Sequence, residues 1–194
     1  IHSLRTGEGQ IVDSTMVDGA LSLMSFFYSL KEMGHWDDQR ESNLLDGHAH
    51  FYDTYMCADN KYIAIGSIEP QFYKELLDKL EIDDQRFLDQ YNKDLWPELK
   101  NLIASKVILK TRSEWEDIFS GTDACVTPVL NMSEAQQNIH NLKRNAFTDV
   151  DGFNQPSASP RYSVTKPEIK HNAKQVGSDF DEVCNEFGLS KAAF

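Results

Sequence analysis

Residues 48–80 read HAHFYDTYMCADNKYIAIGSIEPQFYKELLDKL. Two apolar runs, about 51–57 and 61–66, flank the turn-forming triplet Ala58-Asp59-Asn60, a pattern that predicts a β-hairpin. From Pro70 the periodicity changes. Phe72, Tyr73, Leu76, Leu77 and Leu80 recur at helical spacing, which predicts a helix to about Leu80. Proline suits the first helical turn, where its missing N–H would have no partner. A hairpin that runs through Gly66 into a helix sets the fold class as α/β.

The residue before Pro70 is Glu69. That is the N-cap position, where Ser, Thr, Asp or Asn bind the free amides best. A glutamate there can lie in water and complement the helix dipole. It can also serve a site, because ligands of α/β proteins bind at the carboxyl ends of strands beside helix N-termini. A carboxylate in that place can accept the N–H of a histidine, fix its tautomer and raise the basicity of its other nitrogen. Such a role needs an imidazole nearby in space.

Upstream, residues 8–12 (EGQIV) read as a short strand, and Asp13 or Ser14 as the cap of a helix to about Met33. Met16, Val17, Ala20, Leu21, Leu23, Met24, Phe26, Phe27 and Leu30 make that helix apolar nearly all round, the mark of burial on several sides. Gly34 is a natural stop, and residues 35–47 read as a polar crossover. Downstream, Pro97 opens a helix through Val107, and Thr111 with Glu114 forms a capping box for another through Phe119, ended by Gly121. Residues 124–130 (ACVTPVL) read as a strand that Pro128 places at an edge. SEAQQN predicts a short helix, residues 148–170 an extended loop, and about 174–187 a last helix.

The chain has 194 residues, 40% hydrophobic and 26% charged, ordinary for a globular protein. A net charge of −12 argues against nucleic acid or anionic membrane as a partner. No apolar run has the length of a membrane span. The opening IHSLRTGEGQ lacks a start Met and an apolar signal core, and reads as a chain already under way. Three scattered cysteines, Cys57, Cys125 and Cys184, predict buried thiols in a reducing compartment, not a disulfide framework.

His48 and His50, with Asp46 and Asp53 nearby, would share a face if their H-x-H lay on a strand. No third ligand stands at a metal-site spacing, so no metal is expected. No G-x-S-x-G, cysteine motif or glycine-rich phosphate loop occurs. Met16, Met24, Phe26 and Phe27 could line an apolar acyl pocket, with core packing as the default. The residues alone describe an acidic α/β chain with one notable carboxylate and no self-sufficient catalytic machine.

Five stretches, GEGQIVDSTMVDGALSLMS (7–25), residues 43–80, GTDACVTPVL (121–130), NIHNLKRNAF (138–147) and PSASPRYS (156–163), together resemble the family III CoA-transferase superfamily, in order and over nearly the whole chain. Its members include CoA-transferases, which use an aspartate nucleophile, and racemases, which do not. The resemblance falls on the second half of the family's longer chain. It implies that residues 1–44 are the end of a large domain and a long linker helix, 45–125 an α+β small domain of a hairpin and helices, and 126–194 a segment returning to the large domain. It further implies an interlocked homodimer, or a complementary N-terminal half, in which the small domain covers an active site whose catalytic His and Asp lie elsewhere.

The I-E-P-Q-F-Y motif favours the racemase branch. Glu69 then resembles the partner that orients the catalytic histidine. Leu45, Tyr52 and Ile68 match positions that wall the same pocket, and Met16 falls on a methionine-lined surface for the acyl chain. The reaction implied is racemisation of 2-methylacyl-CoA thioesters through an enolate, with no cofactor beyond the CoA of the substrate. The alternatives are a CoA-transferase of the same fold, and a non-catalytic dimerisation unit when the chain is alone. The location implied is intracellular, either peroxisome or mitochondrion in a eukaryote, or bacterial cytoplasm. The terminal KAAF is not an S-K-L type address.

Overall fold

The hairpin is formed by β1 (Tyr52–Met56) and β2 (Tyr62–Gly66), paired antiparallel with Tyr52 opposite Gly66 and Met56 opposite Tyr62. The turn between them works because Asn60 accepts a left-handed φ of 58°, a conformation asparagine tolerates better than most residues. A third strand, β3 (Val126–Pro128), pairs with β2 and makes the sheet order β1-β2-β3. Pro128 thus sits on an edge strand, where its missing N–H removes no ladder bond from a neighbour.

This computed structural model describes residues 1–190; the terminal KAAF lies outside the described residues. The chain forms two compact units, residues 1–129 and 130–194. All strand pairs among the described residues are antiparallel, so the class is mixed α/β with small antiparallel sheets.

In the first unit, strand alternation sends Tyr55, Ile63 and Ile65 into the core. Three helices supply the other side: α4 (Pro70–Lys79) with Tyr73 and Leu76, α5 (Trp96–Val107) with Trp96, Leu99, Ile103 and Val107, and α6 (Arg112–Phe119) with Trp115 and Phe119. The i, i+3, i+4 spacing in α5 places its four apolar groups on one stripe. Full burial of each such side chain contributes about 1.5–3 kcal/mol. The two buried indoles keep their N–H groups satisfied, Trp96 donating to the Gln90 carbonyl and Trp115 to that of Val107, both at 2.8 Å. The capping box at Thr111 forms as its sequence indicates, with Thr111 Oγ1 accepting from Glu114 N and Glu114 returning to Thr111 N.

Other expectations for this unit are corrected. Residues 8–12 form no strand, and Ile11 is 97% exposed; no described strand pairs with them. The long helix is two helices, α2 (Met16–Leu23) and α3 (Ser25–Glu32), which meet at Met24. Its cap is Thr15, not Asp13 or Ser14, and accepts from Asp18 N. None of its residues is buried, because no described element covers its apolar surface. A five-residue helix, α1 (His2–Thr6), precedes it.

The second unit holds α7 (Met132–Gln137), α8 (Ile139–Lys143), a hairpin of β4 (Phe147–Val150) and β5 (Phe153–Pro156), and α9 (Phe180–Phe187). The hairpin replaces the start of the loop expected over 148–170. Its turn is Asp151-Gly152, both at positive φ, the dipeptide that type I′ hairpins favour. The last helix begins at Phe180, later than the expected 174. Cys57 and Cys184 are buried as anticipated, but Cys125 is exposed.

Candidate functional site

Antiparallel pairing puts alternate residues on opposite faces. With Tyr55, Ile63 and Ile65 turned inward, Tyr52, Thr54, Ala64, Gly66 and Thr127 form the outer face, and an open cleft of about 450 Å³ lies on it. The Tyr52 ring lies over Gly66, its partner in the β1–β2 register. One wall of the cleft is the loop Leu45-Asp46-Gly47, and Cys125 lines it beside Gly66.

The loop is held by its own polar groups. The Asp46 carboxylate accepts from the amides of Asn43 at 2.9 Å and Ser42 at 3.1 Å, and from Asn43 Nδ2 at 2.8 Å. Burial opposes its ionisation, but these hydrogen bonds outweigh that and hold its carboxyl below the ordinary range. Buried Asn43 also exchanges hydrogen bonds with the Asp37 backbone. Gly47 takes a φ of 92°, a left-handed conformation that favours glycine.

The turn from β2 into α4 is equally fixed. Gly66 N donates to the Cys125 carbonyl and Ser67 N to that of Phe51. Gln90 Nε2 donates to the carbonyls of Ser67 and Ile68, and the Tyr91 hydroxyl to that of Ile68 at 2.8 Å. Glu69 therefore stands on a rigid backbone at the head of α4, extended at φ −73° and ψ 142°, and its carboxylate makes no capping bond. Its side chain is exposed. The Cys125 thiol is pushed up first by burial and then by the charge of Glu69; Glu69 itself is not among the residues that line the cleft.

The other sequence-indicated positions divide. Leu45 and Tyr52 both line the cleft, half-buried. Ile68 instead packs against the core at the turn. Met16 is 92% exposed on α2 and lines no part of this cleft.

The two histidines lie in the turn before β1, not on a strand. His48 packs edge-on against Trp96. His50 is fully buried among Phe51, Tyr73 and Phe87, with Nε2 2.6 Å from the Tyr73 hydroxyl and Nδ1 without a hydrogen-bond partner. Burial drives its pKa down from 6.5 to about 4, so the imidazole is neutral at physiological pH. No three His, Cys, Asp or Glu side chains converge as metal ligands among the described residues, nor is any described helix long and apolar enough to cross a membrane.

Sequence reading did not find Lys100, whose ammonium pairs with Asp53 and donates to the Gly47 carbonyl. No local pattern links a helical lysine to groups some fifty positions upstream. Chemically, the cleft offers walls, and the exposed Glu69 carboxylate stands at the turn that follows β2. Of the cleft's own carboxylates, Asp46 is occupied by amides and Asp53 by Lys100.

A profile of CoA-transferase family III matches residues 1–180. The chain is 42% identical over 190 residues to a mouse protein named alpha-methylacyl-CoA racemase, and 40% identical to the human protein of that name. Each match covers 96% of this chain and 50% of the relative, so the chain spans about half the length of the curated relatives it matches. The fold is similar to that of a CAIB/BAIF family protein from Brucella suis, with a TM-score of 0.73 at 16% identity, over 95% of this chain and 50% of that one.

Proposed function

The chain belongs to CoA-transferase family III, and from that premise we propose that it serves an enzyme racemising 2-methylacyl-CoA thioesters. The observation that carries this reading is the 42% identity, across 96% of the chain, to a protein named alpha-methylacyl-CoA racemase. In the reaction, a base removes the proton at C2, next to the thioester carbonyl, and leaves an enolate. Amide donors stabilise the oxyanion. An acid on the opposite face returns a proton, so either enantiomer reaches the same intermediate.

The base and acid are a His and an Asp supplied from outside these 194 residues. Glu69 accepts the N–H of that His, which fixes the tautomer and leaves the other nitrogen free to take the C2 proton. Its rigid backbone and uncapped, exposed carboxylate suit that task. Leu45 and Tyr52 wall the pocket, with Ile68 setting the turn behind them. Met16 offers an apolar surface to the acyl chain from a second subunit of an interlocked homodimer, an assembly supported by the uncovered apolar helices α2 and α3. Proton exchange of this kind needs no cofactor beyond the CoA carried by the substrate. Alone, the chain is an inactive dimerisation unit.

The test is chiral analysis of the natural full-length protein. Pure (2R)- or (2S)-2-methylacyl-CoA should each drift to an equal mixture. A second reading, CoA transfer, is favoured by the family's own description. It would instead show CoA passing to an added carboxylic acid while the starting configuration persists.

A further inference from the structure

Helix α5 and the turn before it hold residues 42–48 at three points. Lys93 Nζ donates to the Ser42 carbonyl at 3.4 Å, the Trp96 ring meets His48 at 5.3 Å, and Lys100 Nζ donates to the Gly47 carbonyl at 2.5 Å. Lys100 alone also carries a charge pair, with Asp53 on β1. Both its partners, Gly47 and Asp53, line the cleft. Its ammonium therefore ties the loop 45–47, one wall of the cleft, to strand β1.

The rest of the loop is anchored within itself, through Asp46 and Asn43. Those bonds fix the loop's shape but not its distance from the sheet. A direct tie from the loop backbone to the sheet is the bridge from Lys100. The pair keeps side-chain exposures of 32% and 22%, so solvent screening limits its worth to global stability. The bridge nevertheless joins two residues of the cleft lining. Gly47 sits at a left-handed φ with Asp53 3.7 Å from where a Cβ would be, so the backbone and the carboxylate are already in close register.

We propose that Lys100 is a positioning residue for substrate binding: its bridge between the Gly47 carbonyl and Asp53 sets the gap between Leu45 and Tyr52 through which the acyl-CoA is held. The proposal rests on the racemase reading of the cleft for its substrate, but the geometry of the loop can be measured without turnover. Because Lys100 touches no reacting atom, its loss should appear in binding and spare the chemical step.

The experiment compares wild type, Lys100→Met, Lys100→Arg and the double variant Lys100→Met/Asp53→Asn in the natural full-length protein. Lys100→Met should raise KM for 2-methylacyl-CoA about fivefold or more while kcat stays within about twofold. Lys100→Arg, which keeps the charge and the donors, should restore KM. The double variant should raise KM no further than Lys100→Met, because both changes act through one bridge. It also spares the fold an unpaired carboxylate, so it reports even if Lys100→Met fails to fold. Hydrogen exchange at the amides of residues 44–48 should quicken in Lys100→Met and not in Lys100→Arg. An unchanged KM with unchanged exchange, or additive effects in the double variant, would overturn the proposal. A wild type that racemises nothing would sink the functional reading instead, and is told apart because exchange at 44–48 still separates Lys100→Met from wild type.

Discussion

Glu69 heads a helix whose amides it does not cap. A residue chosen to stabilise α4 would have been Ser, Thr, Asp or Asn. Replacing Glu69 by Gln removes the charge and keeps the size. In the full-length protein it should lower kcat about 10- to 100-fold, the scale of losing a group that orients a reactive imidazole, with KM little changed. Steady-state kinetics check this, and an unchanged kcat removes the orienting role. His50 makes a second prediction, about stability. The unfolded chain protonates this imidazole near 6.5, whereas the folded one keeps it neutral down to about 4. Between those values the unfolded state binds more protons, so stability is full above pH 6.5 and falls as pH drops toward 4, by about 3 kcal/mol in all. Urea unfolding at pH 7 and pH 5 should show the loss, and His50→Gln should flatten it. The question posed by Glu69 was legible in the sequence, since Pro70 fixed its place at the helix start. The burial of His50 was not, because H-x-H spacing carries no information about depth.

Elements whose boundaries rest on local chemistry were the legible ones. The Thr111/Glu114 box, the prolines at the heads of α4 and α5, and the alternation of β1 and β2 each act within a few residues, and each formed where the pattern put it. Thr111→Ala should therefore cost about 1 kcal/mol in thermal or urea unfolding. Leu99→Ala, at a fully buried site on α5, should cost about 2–5 kcal/mol. A cost for Leu99→Ala no larger than for Thr111→Ala would contradict the packing described. Two misreadings have physical causes. The polar, Pro- and Ser-rich composition of 148–170 masks the β4–β5 hairpin, whose one decisive signal is the dipeptide Asp151-Gly152. The apolar character of residues 16–30 predicts burial, but a side chain is buried only if something covers it, and no described element covers α2 or α3. The Lys100 bridge was illegible for a related reason: it joins positions distant in sequence, which only the folded chain brings together.

At the scale of the molecule, the exposed α2 and α3 are out of keeping with a chain that folds and stays alone. Met16, Leu23, Phe26 and Tyr28 are each more than half exposed, and clustered apolar surface of this kind marks an interaction face. The 194-residue chain should therefore self-associate, with a sedimentation coefficient that rises with concentration. Replacing Met16 and Phe26 by Ser should shift it toward the monomer. The chemistry is asked of the complete assembly, since no imidazole lines the cleft among the described residues and its two carboxylates, Asp46 and Asp53, are already bonded. The decisive measurement is deuterium incorporation at C2 of 2-methylacyl-CoA in deuterated water, followed for the full-length protein and its Glu69→Gln variant. Deuterium should enter C2 at the rate of racemisation in the wild type and far more slowly in the variant. A C2 proton retained in the wild type, or incorporation at equal rates in both, would contradict the orienting role of Glu69.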